Sequence, residues 1–125
     1  MRLWHQNLIK HLPRQQLLGQ HRECCALRGA GWGKKHSVVD YVFTHSPAKL
    51  VSYHFLVMKE MENRNYHPDP IWKNGNWRGL KIGMDNWINE NEIITNNEII
   101  YDEHNDNYLK ECLDNLKEKG IVLNI

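Results

Sequence analysis

The stretch from Leu12 to Lys35, LPRQQLLGQHRECCALRGAGWGKK, restricts the fold more than any other. Leu17, Leu18, His21, Cys24, Cys25 and Leu27 recur at the spacing of a core-facing helical stripe. Pro13 presets the φ of a first helical turn, and Gly29, Gly31 and Gly33 stop the helix. A chain that opens this way must lay other elements against that stripe. Gln16, Gly19, Gln20, Glu23 and Ala26 fall on a different face. A glycine inside a helix costs roughly 1 kcal/mol relative to alanine, so Gly19 implies close approach there, either by a packed helix or by a ligand.

Two more helices are expected. Ser46 is a good N-cap and Pro47 a good first helical residue. The stripe that follows is Leu50, Val51, His54, Phe55, Val57, Met58 and Met61, ending around Asn63 to Asn65. The third helix runs from about Asp106 to Lys119, capped by Asp106 or Asn105. Tyr108, Leu109, Cys112, Leu113 and Leu116 form its stripe, and Gly120 ends it. Leu3, Trp4, Leu8, Ile9 and Leu12 pack the first dozen residues down, and that length suffices to double back toward Glu23. Val38–Phe43 is either one helical turn or a linker on the core. Residues 66–104, rich in Asn, Gly and Trp, read as irregular structure with at most short strands or turns near Gly79–Ile82 and Glu92–Ile100. Trp72, Trp77 and Trp87 are expected as core staples ahead of base-stacking platforms. An irregular stretch this long in a small domain is often functional. The expectation is a mostly α, compact single domain over 1–125, with three main helices and long irregular connections.

With 125 residues there is room for one modest core. No apolar run approaches the ~20 residues of a membrane span, and no long apolar segment marks a secretory leader. Three cysteines, an odd number, fit small core residues of a reducing cytosol and not a disulfide framework. Eight histidines raise the question of metal. His21 and Cys24 stand one helical turn apart, but no second Cys/His pair follows at finger-like spacing. His21 reads as a core histidine, and no metal is expected. Phosphate-binding glycine fingerprints and the GxSxG elbow are absent.

Charge is unevenly placed. Residues 1–36 hold seven bases, Arg2, Lys10, Arg14, Arg22, Arg28, Lys34 and Lys35, and one acid, Glu23, for a formal +6. The remainder carries nine bases and fourteen acids, for −5. A chain near neutral overall is thus polarised along its length. A solitary carboxylate in a basic surface has two readings. One is a structural salt bridge with Arg22 or Arg28. The other is a catalytic acid or base acting on a polyanion whose phosphates the cations hold. The basic glycine-rich turn ending in Lys34, Lys35 and His36 suits phosphate contact, or is an ordinary solvated loop.

The segment QQLLGQHRECCALRG, with Arg22 and Glu23 at its middle, resembles the pyrimidine-dimer DNA glycosylases of the phage endonuclease V type. Met1-Arg2, the Lys34-Lys35-His36 turn, the second helix, and Glu103-His104 leading into a leucine-bearing last helix have counterparts in the order that family has them. Residues 67–100 match poorly. The resemblance implies a compact, mostly helical enzyme without a cofactor. It would cut the glycosidic bond at cyclobutane pyrimidine dimers in double-stranded DNA and then nick the abasic site, as a glycosylase and abasic-site lyase. It further implies that the N-terminal amine is the nucleophile, carried here by Met1, with Glu23 its essential partner. Arg22 and Arg2 match basic residues of the family, and Arg28, Lys34 and Lys35 join them as the expected DNA-binding set. A monomer is expected, with no membrane partner, in the cytoplasm and on the nucleoid when bound to DNA.

Two departures bear on this. Arg2 is bulky and blocks removal of Met1, so the deformylated amine of Met1 itself would react. The aromatic C-terminal tail of the phage enzymes is also missing, which concerns lesion choice more than chemistry. Relatives acting on other damaged bases, or only on abasic sites, and a non-catalytic DNA-binding module are the alternatives. The chemistry is sound on its own terms. An α-amine has a reference pKa of ~7.7–8.0, far below the ~10.4 of lysine, so a neutral fraction is available at cellular pH.

Overall fold

The computed structural model describes residues 2–35 and 38–125. Met1, the expected nucleophile, and His36 of the basic turn lie outside the described residues. Three α-helices carry the architecture: α1 (Arg14–Arg28), α2 (Pro47–Asn63) and α3 (Asp106–Glu118). Their ends follow the local chemistry. Ser46 accepts from the Ala48 amide and Asn105 from the Tyr108 amide, each satisfying an N–H that has no partner within its helix. Asn105, and not Asp106, is therefore the cap of α3.

α1 packs on α2. Leu17, Cys24 and Leu27 of α1 meet Leu50, Tyr53, Val57 and Met61 of α2, while Cys112 and Leu116 of α3 close the same cluster. Leu3, Leu8, Ile9 and Leu12 fill it from the N-terminal side, the last three on or beside a 3-10 turn, Gln6–His11. Each such buried aliphatic side chain contributes about 1.5–3 kcal/mol of hydrophobic stabilisation. The Val38–Phe43 question resolves as a 3-10 turn, Asp40–Thr44, that buries Val42. A smaller cluster of Ala48, Val51 and Ile88 lies under the Trp- and Asn-rich stretch, flanked by Phe55, Trp87 and Ile93.

That stretch forms no strand among the described residues, only an isolated antiparallel bridge between Trp77 and Met84. Side chains hold it to the helices. The Ile94 amide donates to Ser52 Oγ at 2.8 Å, and Trp87 Nε1 donates to the Gly75 carbonyl at 2.9 Å. The fold is mostly helical, as expected. Among the described residues no helix is long and apolar enough to cross a membrane.

The burial of α1 departs from a simple amphipathic reading. Beside its apolar stripe, Gln20, Glu23 and Arg28 are also buried. The polar face is covered in part by the chain's own N-terminal segment and by the irregular stretch.

Candidate active site

Glu23 occupies the middle of α1 and is 6 % exposed. Its Oε2 is buried and has no hydrogen-bond partner among the described residues. No ion pair joins it to Arg22 or Arg28 there, so the salt-bridge reading does not describe this carboxylate. A buried carboxyl oxygen without a donor is costly, and it marks a place where a group from outside the described residues or from a ligand belongs.

One turn before Glu23, about 4.5 Å along the axis, Gln20 grips the N-terminal segment. Its Oε1 accepts from the Trp4 amide at 2.7 Å, and its Nε2 donates to the Arg2 carbonyl at 3.0 Å. The Tyr53 hydroxyl lies 2.6 Å from the Trp4 carbonyl and 2.9 Å from Gln20 Oε1, sharing one proton between them. Burial pushes the Tyr53 phenol well above its ordinary range, so it remains a donor. Tyr108 of α3 donates to the Leu3 carbonyl at 2.5 Å. Arg2 to Trp4 are thereby held beside Glu23, and the first dozen residues do double back along α1, as their length permits.

Arg2, Trp4, Gly19, Glu23, Asn115 and Lys119 line a pocket of about 300 Å³. The Arg2 guanidinium stands on its wall, 3.5 Å from a Glu111 carboxylate oxygen and stacked 5.7 Å over Trp4. Gly19 opens onto this pocket. Among the described residues a Cβ there would meet only the tip of Arg22, at 3.7 Å, so packing against another described helix does not account for the glycine. Gln20, Tyr53, Asn115 and Lys119 were not expected at the site. Lys119 and Asn115 come from the far end of the chain, and nothing local in sequence marks them.

The expected DNA-binding residues divide into two groups. Arg22, Lys34 and Lys35 are exposed, as phosphate contacts must be. Arg28 is a correction. It is 0 % exposed, and its guanidinium donates to the carbonyls of Trp72, Asn74 and Trp77 and to His54 Nδ1, all within 3.0 Å. Its Cζ also lies 5.0 Å from the Trp72 ring. Burial lowers its pKa to about 10, which leaves it a cation at neutral pH. Arg28 binds the irregular stretch to α1 and is unavailable to phosphate. Only the tertiary fold reveals this, because in sequence it looks like Arg22.

His21, Cys25 and His54 offer ligand atoms within 4.8 Å of one another, half-buried to buried. The cysteine is Cys25, one helical turn on from His21, and not Cys24. The proton arrangement opposes a cation. Arginine can only donate, so His54 Nδ1 accepts from Arg28 at 2.9 Å and its Nε2 carries the proton. That proton is donated to His21 Nδ1, 2.8 Å away. Metal-bound histidines ordinarily donate from the second nitrogen; here that nitrogen faces a buried guanidinium. The donor set does not fit a metal ion. Burial, followed by Arg28 and then His21, lowers the His54 pKa well below the usual value, consistent with a neutral ring.

Comparison with known proteins gives the family. The profile of the family described as pyrimidine dimer DNA glycosylase matches residues 1–74. That is more than half of the chain, and the protein belongs to this family of DNA-repair glycosylases. Neither the curated proteins nor the solved structures compared with it give a match.

Proposed function

We propose that the protein is a bifunctional glycosylase and abasic-site lyase that acts on cyclobutane pyrimidine dimers through its N-terminal amine. The observation that carries this reading is the buried Glu23 carboxylate, whose Oε2 meets no donor among the described residues, in the same pocket as Arg2 and Trp4 of the clamped N-terminal segment. The neutral amine of Met1 donates its lone pair to C1′ of the damaged nucleotide. The bond from C1′ to the base breaks, and the base leaves with the electron pair and takes up a proton. The amine gives up a proton, the sugar ring opens with protonation of its oxygen, and an imine results. Glu23 stabilises the positive charge on the sugar, then removes a C2′ proton so that the 3′ phosphate leaves by β-elimination. Arg22, Lys34 and Lys35 hold phosphates, and Arg2 and Lys119 set the positive field of the pocket.

The test is borohydride trapping on two duplexes, one with a thymine dimer and one with an abasic site, followed by peptide mapping. A reduced adduct on the Met1 amine with both is expected. Trapping with the abasic duplex alone would restrict the chemistry to abasic sites and discard dimer cleavage. No adduct with either, from protein with a free amine that binds DNA, would leave a binding module.

A further inference from the structure

The irregular stretch carries an exposed apolar turn that neither the pocket nor the core uses. Leu80 is 95 % exposed, and Ile82 and Met84 beside it are also exposed. The turn is closed, not frayed. Gly79 and Gly83 have φ of +88° and +74°, conformations that residues with a Cβ rarely adopt. The Gly83 amide donates to the Gly79 carbonyl at 2.6 Å, the Arg78 amide donates to the Gly83 carbonyl at 2.9 Å, and the Trp77–Met84 bridge closes its base.

This base is fixed to the helix that bears Glu23. Arg28 holds the carbonyls of Trp72, Asn74 and Trp77, and Arg78 Nε donates back to the Arg28 carbonyl at 2.8 Å. Arg78 also pairs with Asp85 at 2.8 Å and stacks 4.0 Å over Trp87. A cleft of about 490 Å³ separates the turn from the end of α1, and its wall includes Ala26, Gly31, Lys34, Leu80 and Lys81. Ala26 lies one turn beyond Glu23, about 4.5 Å along the axis. Both the pocket and this cleft are thus built on α1, whose residues line each of them. Lysines border the cleft, and among the described residues Asp69 is the one acid lining either cleft beside Leu80, on the side that α1 does not line. A rigid apolar tip in a basic border fits a partner with a polyanionic outside and an apolar, stacked inside.

We propose that Leu80 is a wedge that enters the base stack of duplex DNA beside the nucleotide on which Glu23 acts. A glycosylase must unstack its target to reach the sugar, and an inserted aliphatic side chain offsets the lost stacking and kinks the duplex. Arg28 and Arg78 act through Leu80, setting its position relative to Glu23. The inference rests on the DNA glycosylase reading and goes beyond it by naming the residue that opens the stack.

Two readouts test it. The first uses a duplex with 2-aminopurine next to a tetrahydrofuran abasic analogue, which cannot form an imine. Wild-type protein should raise the fluorescence on binding, Leu80→Ala should not, and Leu80→Phe should retain the rise. The second is borohydride trapping on an abasic site. Leu80→Ala should lose roughly tenfold in rate on duplex and match wild type on single strands, where no stack needs opening. Wild-type behaviour of Leu80→Ala on both duplexes overturns the proposal and leaves the tip as a contact for another protein. If wild type traps on neither strand, the amine mechanism fails while the fluorescence comparison still decides the wedge. Because Leu80 is almost fully exposed, its replacement leaves the fold intact.

Discussion

Glu23 and Arg28 stand five residues apart on one helix, both ionisable and both buried, and they differ in what meets them. Arg28 has four acceptors within 3.0 Å, whereas Glu23 Oε2 has no donor among the described residues. The first pattern is that of a structural residue, and the second is what the proposed role of Glu23 in the chemistry draws on. Arg28→Ala should strip donors from buried carbonyls and destabilise the fold by at least about 3 kcal/mol, read from urea denaturation. Arg28→Lys should rescue little, since an ammonium cannot span that fork of acceptors. Glu23→Gln should keep or raise the urea midpoint, because it replaces a buried carboxylate whose Oε2 has no donor among the described residues, yet lower strand cleavage by roughly a hundredfold or more. A Glu23→Gln protein that cleaves at the wild-type rate would remove Glu23 from the chemistry.

At the scale of elements, α1 joins two functions through its surroundings. Its middle receives the N-terminal segment through Gln20, and its C-terminal end receives the irregular stretch through Arg28. Gln20→Ala should loosen Arg2 and Trp4 and slow imine trapping about tenfold or more, with DNA affinity little changed. A parallel fall in affinity would argue that the residue contacts DNA directly. The turn after α1 carries Lys34 and Lys35, both exposed. Replacing both with alanine should reduce the slope of log K against log salt by about 2, at about 0.9 per phosphate contact. A slope equal to wild type would remove them from the DNA face.

For the molecule as a whole, the two ends of the chain complete one site. Asn115 and Lys119 from the C-terminal end line the Glu23 pocket, and Tyr108 and Glu111 hold Leu3 and Arg2, although the family match covers only residues 1–74. His104 belongs to the same closure. Its Nδ1 accepts from the Gln6 amide at 3.0 Å, and its Nε2 lies 2.7 Å from the Tyr41 hydroxyl. Burial, then His5, lowers its pKa to about 3, and His54 is lowered by burial too. In the unfolded chain both titrate near 6.5. Below that pH the unfolded chain binds more protons, so stability falls as pH drops under 6.5 and gains no further slope from these rings above it. The expected loss is about 1.4 kcal/mol per pH unit for each histidine still neutral. Urea midpoints at pH 7.5 and 5.0 measure it. Equal midpoints would mean that the folded protein protonates these rings readily.

Much of this molecule is legible in its sequence. The three helices, the Ser46 cap and the glycine stop depend on neighbours within a turn or two, so local pattern determines them, while the choice of Asn105 over Asp106 as the cap of α3 was left to the structure. Glu23 stands out because it is the only acid in a basic run, a property of the sequence itself. Arg28, Gln20, Lys119 and Leu80 are misread or missed there because their roles depend on partners far along the chain or on having no partner at all. An arginine looks the same in sequence whether it meets phosphate or buried carbonyls. By itself the sequence determined the helices and singled out the one carboxylate in the basic run, because those follow from short-range sterics and charge. Only the tertiary structure decided which cations stay exposed, what grips the N-terminal segment and where the apolar turn stands, because burial and hydrogen-bond satisfaction are settled when distant segments pack.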